Sequence, residues 1–318
     1  MGGKLTTKFL YGLEELGKDH GDLVGRKCAN LGELTNGGFR VPPGFAISLE
    51  AYEGFMRDTG ANEEIRRFLS TFSADPTDPK ELGRFTEAAD QIRAIVESRR
   101  MPADMEAAVA KRYGELCGTV GAEDVMVAVR SAGPASHPGQ YDSFLNVQGE
   151  EDVLHNIVKV WSSTFNARSL AARARKGLAL DHDPIGVCVL QMVNARAAGV
   201  MFTAEPTTAD TSKLILEGSW GLGEKVVSGS VIPDVWVVDR TKFVVMDRRT
   251  APKSEGEEQP GCLSDEEVIE LARIGARVEQ HFGAPQDIEW AVDGEPTDNK
   301  FYVLQTRNER FSIRFAGF

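Results

Sequence analysis

A chain of 318 residues, 42% hydrophobic and 26% charged, has the size and composition of a soluble globular protein with two packed units or one large cleft-bearing domain. No stretch approaches the ~20 apolar residues that span a bilayer, and MGGKLTTKFLYG lacks the apolar core of a secretory signal, so a cytoplasmic location is expected. A formal net charge of −12 excludes general binding to nucleic acid or anionic membrane, so any polyanionic ligand needs a local cluster of Lys and Arg.

In chain order, GRKCANLGELTNGG (25–38) reads as a helix with Leu31 and Leu34 on one face and Gly37 and Gly38 as its stop. VPPGFAIS (41–48) turns into a short strand, and Ser48 caps a helix running to about Met56. Residues 80–100 and 103–118 have amphipathic helical spacing, the second with Pro102 at its start. VMVAVRS (125–131) is a buried-type strand, and 150–177 is the longest helical stretch. From Ile185 the pattern changes to strands: IGVCVLQMV, AGVMFT, KLILEGS, then VWVVDR with KFVVMD as a hairpin. Ser264 and Glu267 form a capping box for a helix ending near His281. IEWAVD (288–293) and KFYVLQTR (300–307) make a final hairpin around a polar turn. The runs 73–80 and 252–261 read as exposed loops. This predicts an α+β chain with a lobe over 1–184, a second over 185–318, and the site between them.

Several residues stand where chemistry is possible. Arg130 ends the apolar strand VMVAV, as either a ligand-binding cation or half of a structural ion pair. Lys27 stands just ahead of a helix, where backbone N–H groups favour anions, although a lone lysine is also an ordinary surface charge. Asp287 and Glu289 alternate along one strand and so share a face, as do Gln305 and Arg307 on its partner. That face suits a Mg²⁺–phosphate ligand, with hard oxygens for the metal and guanidinium for phosphate. It equally suits an outward face joined by cross-strand salt bridges. The glycine-rich GSWGLGEKVVSGS (218–230) allows close backbone approach and carries Glu224, but it has neither P-loop nor dinucleotide-binding spacing. Gln191-Met192-Val193 ends a strand, where backbone groups meet an adenine edge or simply continue a core strand.

The four cysteines (28, 117, 188, 262) have no zinc-ligand or redox spacing. The five histidines (20, 137, 155, 182, 281) include no pair with metal or triad spacing. His155 and His281 read as structural, and His137, in the loop PASHPGQ, as structural or gating.

In family order and over most of the chain, GRKCANLGEL, VPPGFAIS, VAVRS, GQYDSFLNV, QMV, AGVMFTAEP, EGSWGLGE, PQDIEW and VLQTRN resemble the ATP-binding domain of phosphoenolpyruvate synthase and pyruvate phosphate dikinase. Rifampin phosphotransferases and phenylphosphate synthases share that domain. The resemblance implies a two-lobed ATP-grasp fold with the nucleotide in the cleft between lobes, and ATP and Mg²⁺ as cofactors. Lys27 matches the lysine of the family segment GGKGANLGE, and Arg130 the arginine of VRSS; both are expected to hold phosphates. Gln191 and Val193 match the adenine-edge segment, and Glu217 and Glu224 match acids of the nucleotide pocket. Glu289 and Gln305 match the metal-binding pair, with Asp287 beside them, and Arg307 the arginine that stabilises the transferred phosphate.

The chain departs from the family pattern in three ways. Cys28 replaces a glycine beside the phosphate lysine. The loop VRSAGPASHPGQ, which holds Ser136 and His137, is shorter than its counterpart. The mobile histidine segment GG-x-x-SHxAI does not occur in this sequence. The resemblance therefore implies a phosphotransferase subunit that phosphorylates a histidine on a partner subunit, releasing AMP and phosphate. The partner would also hold the acceptor, phenol or 4-methylphenol. The alternatives are the ATP-binding part of a phosphoenolpyruvate synthase or rifampin phosphotransferase, and a non-catalytic ATP-sensing subunit.

Overall fold

The computed structural model describes residues 8–134, 140–251, 261–294 and 300–309. Ser136 and His137 lie outside the described residues, as does most of the polar run 252–261. The chain divides into two compact units, residues 1–33 with 43–192 and residues 34–42 with 193–318. This boundary falls later than the expected 184/185. The shift to strand-like composition at Ile185 marks a strand that still belongs to the first sheet. Residues 34–42 also leave the first unit for the second.

In the first unit the strands are β1 (Leu10–Gly12), β2 (Gly44–Ile47), β3 (Val127–Ala132), β4 (Ser143–Val147) and β5 (Gly186–Gln191). They form an antiparallel sheet of order β1-β2-β5-β3-β4. Its helices are α1 (Gly21–Val24), α2 (Arg26–Asn36), α3 (Leu49–Asp58), α4 (Ala61–Leu69), α5 (Leu82–Glu97), α6 (Ala103–Val120), α7 (Glu150–Ser162) and α8 (Ala167–Arg175). α4, in ANEEIRRFL, is a helix that the sequence reading does not predict. One face of the sheet, with Phe45, Ile47, Val127, Val129, Val187 and Val189, joins the main core beneath α3 to α8. Trp161 sits at its centre, its ring 5.0 Å from Phe55 and 6.2 Å from Tyr52. The alternate residues Ala46, Arg130 and Cys188 lie in one cross-strand row on the opposite face.

The helix expected over 150–177 is broken at residues 163–165. There Ser162, Ser163 and Thr164 each turn a hydroxyl back to the carbonyl three residues earlier, at 2.7–2.9 Å. Such bonds compete with the helical ladder. Asn166 then restarts the helix as the N-cap of α8, its side-chain oxygen accepting from Ser169 N–H at 2.9 Å. Its amide group also donates to Gln140 O at 2.6 Å.

The second unit adds β6 (Ala195–Phe202), β7 (Lys213–Trp220), α9 (Glu224–Val227), β8 (Asp234–Asp239), β9 (Val245–Arg249), α10 (Asp265–Phe282), β10 (Gln286–Asp293) and β11 (Phe301–Asn308). Its antiparallel sheet has the order β11-β10-β6-β7-β8-β9. α10 covers one face, burying Val268, Leu271, Ala272 and Val278 with Met201, Leu214, Leu216, Ile288 and Trp290 from the strands. Gly275 lets the helix come down on Met201, since a Cβ there would lie 2.5 Å from its terminal methyl. The capping box of Ser264 and Glu267 starts this helix as the sequence predicts.

Asn166→Ala should destabilise the protein by about 1 kcal/mol through loss of the α8 cap. Asn166→Asp keeps the capping oxygen but loses the donor to Gln140 O, so it should recover only the cap's share of the loss. Denaturant unfolding of the two variants checks the order.

Candidate phosphate and metal site

The expected site residues fall into two groups, one in each unit. In the first unit Lys27 is the second residue of α2, so it lies within the first helical turn rather than ahead of it. Arg130 lies in β3, opposite Cys188 of β5. Lys27 and Arg130 are brought into one neighbourhood. The charges of both act on the wholly buried thiols of Cys28 and Cys188, which hydrogen-bond one another. Burial and that bond push Cys28 well above the ordinary thiol range. Cys188 is held below it by the same hydrogen bond, aided by the positive charges of Arg130 and Lys27.

Gln191 is the last residue of β5 and half-buried. Its N–H is already given to Pro43 O, and that of Met192 to Met126 O, both at 2.8 Å. Val193 O accepts from Ala195 N–H at 2.7 Å. The backbone donors of Gln191 and Met192 are therefore committed to protein partners, so an adenine edge would have to use other groups of this segment.

In the second unit the strand register puts the charged groups on the sheet face opposite α10. Glu289 pairs with Gln305 and with Val200, which pairs in turn with Glu217. These four side chains form one row, with Glu217 two strands, about 10 Å, from Glu289. Asp287 and Arg307 are opposite one another in the next row. Arg307 Nε donates to Asp287 Oδ2 at 2.7 Å, and an Nη donates to the same oxygen. Asp287, expected beside the metal ligands, is thus the partner that orients Arg307. A register shift between Glu289 and Trp290 lets the polar row give way to the buried Trp290 and Val303.

The glycine-rich segment reaches the same face. A Cβ on Gly223 would lie 3.4 Å from the Cβ of Ala198, which lies on the same face of β6 as Val200. Glu224 begins α9 immediately afterwards and is exposed.

Burial acts on two carboxylates of this face. Burial, with the charge of Asp287 nearby, raises Glu217 above the usual carboxylate range. Burial also raises Asp287; the Arg307 pair opposes this shift and the Glu289 charge adds to it. A cation would relieve that strain, and carboxylates with an amide oxygen are the hard donors Mg²⁺ takes. Among the described residues no three His, Cys, Asp or Glu side chains stand together as a metal cluster. The residues therefore fit an ion held by one or two side chains and completed by phosphate and water, the usual pattern for nucleotide-bound Mg²⁺. Glu289 and Gln305 are placed for that, directly opposite one another.

A carboxylate raised in the folded state contributes stability at low pH that is lost as pH rises through its folded value. Glu217→Gln should therefore raise the melting temperature of the ligand-free protein at pH 8, by about 2 °C. The gain should shrink toward pH 4, and thermal melts of both proteins across that range check it.

Comparison with known proteins gives the family. Residues 21–314 match the family model described as pyruvate phosphate dikinase, AMP/ATP-binding domain. The chain is 40% identical over 329 residues to the probable phosphoenolpyruvate synthase of Methanothermobacter thermautotrophicus, covering 96% of this chain and 46% of that protein. For the probable phosphoenolpyruvate synthase of Methanocaldococcus jannaschii the identity is 38%, covering 94% of this chain and 26% of that one. For the phosphoenolpyruvate synthase of Pyrococcus furiosus it is 34%, with 94% and 43% covered. The chain thus spans less than half the length of these relatives. Among solved structures, D-alanyl-alanine synthetase A from Vibrio cholerae aligns with a TM-score of 0.30 and 12% identity, over 72% of this chain and 56% of that one. That likeness is too distant to carry an argument. No helix among the described residues is long and apolar enough to cross a membrane. The family match extends over both units and includes each phosphate and metal candidate named above: the chain belongs to the pyruvate phosphate dikinase AMP/ATP-binding domain family.

Proposed function

We propose that the chain is the ATP-binding, phosphoryl-donating part of a dikinase-type phosphotransferase of the phosphoenolpyruvate synthase kind. The observation that carries this reading is the polar row Glu217, Glu289 and Gln305 with the Asp287–Arg307 pair beside it, on a sheet face where burial raises Glu217 and Asp287. The relatives' names support a phosphoenolpyruvate synthase over a phenol- or cresol-phosphorylating subunit, and no observation on the described residues favours a phenolic acceptor.

In this reading Lys27 and Arg130 neutralise phosphate oxygens, and Arg307, held by Asp287, meets the oxygens of the phosphoryl group being transferred. Charge neutralisation and positioning are what phosphoryl transfer asks of a protein. Glu289 and Gln305 would hold Mg²⁺, which when bound would withdraw charge from the phosphates. Glu217 and Glu224 serve the nucleotide pocket. The β-phosphoryl passes to a histidine outside the described residues, on a partner chain or a further domain; AMP leaves, and water takes the γ-phosphoryl as phosphate.

The test uses ATP labelled at the β or the γ position, with and without a chain bearing the acceptor histidine. Label from the β position on that histidine, with AMP formed, is the expected result; tight ATP binding with no AMP under any condition would leave a nucleotide sensor instead. Pyruvate and phenol offered to the labelled histidine chain separate the two acceptor classes. Arg307→Ala should lower AMP formation roughly tenfold or more, since a charge-assisted hydrogen bond acting in the transition state is lost.

A further inference from the structure

Arg26 stands one residue before Lys27, and two of its donors are given to the chain that leaves β3. Its backbone N–H donates to Gly133 O at 3.0 Å and its side-chain Nε donates to Pro134 O at 2.9 Å. The preceding Gly25 has φ +82°, and a Cβ there would lie 1.9 Å from Ala132 O, so only glycine allows the approach. Gly25 and Arg26 are therefore matched against Ala132, Gly133 and Pro134. Lys27 follows directly on one side of this junction, and Arg130 precedes it on the other.

We infer that Arg26 is a positioning residue for the Lys27–Arg130 cation pair. Two like charges that act on the same thiol pair repel one another. The first turn of a helix is also where helices fray. The two-point grip of Arg26 on consecutive carbonyls fixes the start of α2 against the exit of β3. It thereby sets the spacing at which ammonium and guanidinium meet a polyphosphate. The guanidinium of Arg26 acts through Nε as a geometric donor; its charge is incidental. This inference rests on the ATP-binding reading above.

The test exploits side-chain shape. Glutamine places an amide N–H₂ at the position of arginine Nε without the charge. Methionine fills the same length with no donor, and lysine keeps the charge but has a methylene there. Binding of ATP and of AMP, which lacks the β and γ phosphates, is measured by calorimetry for Arg26→Gln, Arg26→Met and Arg26→Lys, with Lys27→Ala as control and thermal melts alongside. The expected result is ATP binding about fivefold weaker in the Met and Lys variants, within about twofold of the parent in the Gln variant, and AMP binding unchanged throughout. Lys behaving as the parent while Gln behaves as Met would overturn the proposal, because charge rather than position would then matter. Equal losses for ATP and AMP would overturn it as well, by revealing a merely structural role. If the Lys27→Ala control binds ATP like the parent, the ATP-site reading itself fails at this lysine. Parent-like ATP binding by all three Arg26 variants, with Lys27→Ala impaired, sinks only the inference about Arg26.

Discussion

The constraint on which the second unit turns is electrostatic. Three carboxylates, Glu217, Asp287 and Glu289, share one sheet face with Arg307, which is paired to Asp287. Burial disfavours the ionised forms of Glu217 and Asp287, and the Arg307 pair does not fully offset that for Asp287. Elsewhere in this unit charges are paired at close range, as Arg240 just after β8 and Glu279 of α10 are at 2.6 Å. Here burial leaves Glu217 and Asp287 raised on a face bordered by a glycine-rich turn. A divalent cation and the phosphates it carries complete such a face chemically.

The first unit solves a complementary problem. It must hold two cations near each other, and it does so from behind, with backbone and small side chains. Gly25 admits the close approach of α2 to β3, Arg26 ties the junction, and the Cys28–Cys188 pair fills the space next to both charges. Small buried thiols suit that place because they pack as compact apolar groups. The large core of Trp161, Tyr52 and Phe55 lies on the other face of the same sheet.

Much of this was legible in the sequence. Alternation along 286–293 and 301–308 placed Asp287, Glu289, Gln305 and Arg307 on one face, because a strand's period of two leaves little choice. The capping residues Ser48 and Ser264 announced their helices. The break at 163–165 was hidden because apolar helical spacing continues through it; only the hydroxyl-rich Ser-Ser-Thr run, read for its backbone competition, signals it. The unit boundary was misplaced because composition changes where strands begin, whereas packing changes one strand later. Asp287 as partner of Arg307 depends on cross-strand register, which one strand's sequence does not contain. Arg26 gave no signal at all: it is an exposed arginine, and in the family segment GGKGANLGE a glycine occupies its place.

The central claim is that Glu289 and Gln305 hold a divalent cation together with ATP. Titrating Mn²⁺ into the protein and following free ion by electron paramagnetic resonance, with and without ATP, tests it most directly. The account predicts a tightly bound Mn²⁺ only when ATP is present, lost in a Glu289→Ala, Gln305→Ala double variant that keeps its fold. Mn²⁺ and ATP binding unchanged in that variant would contradict it.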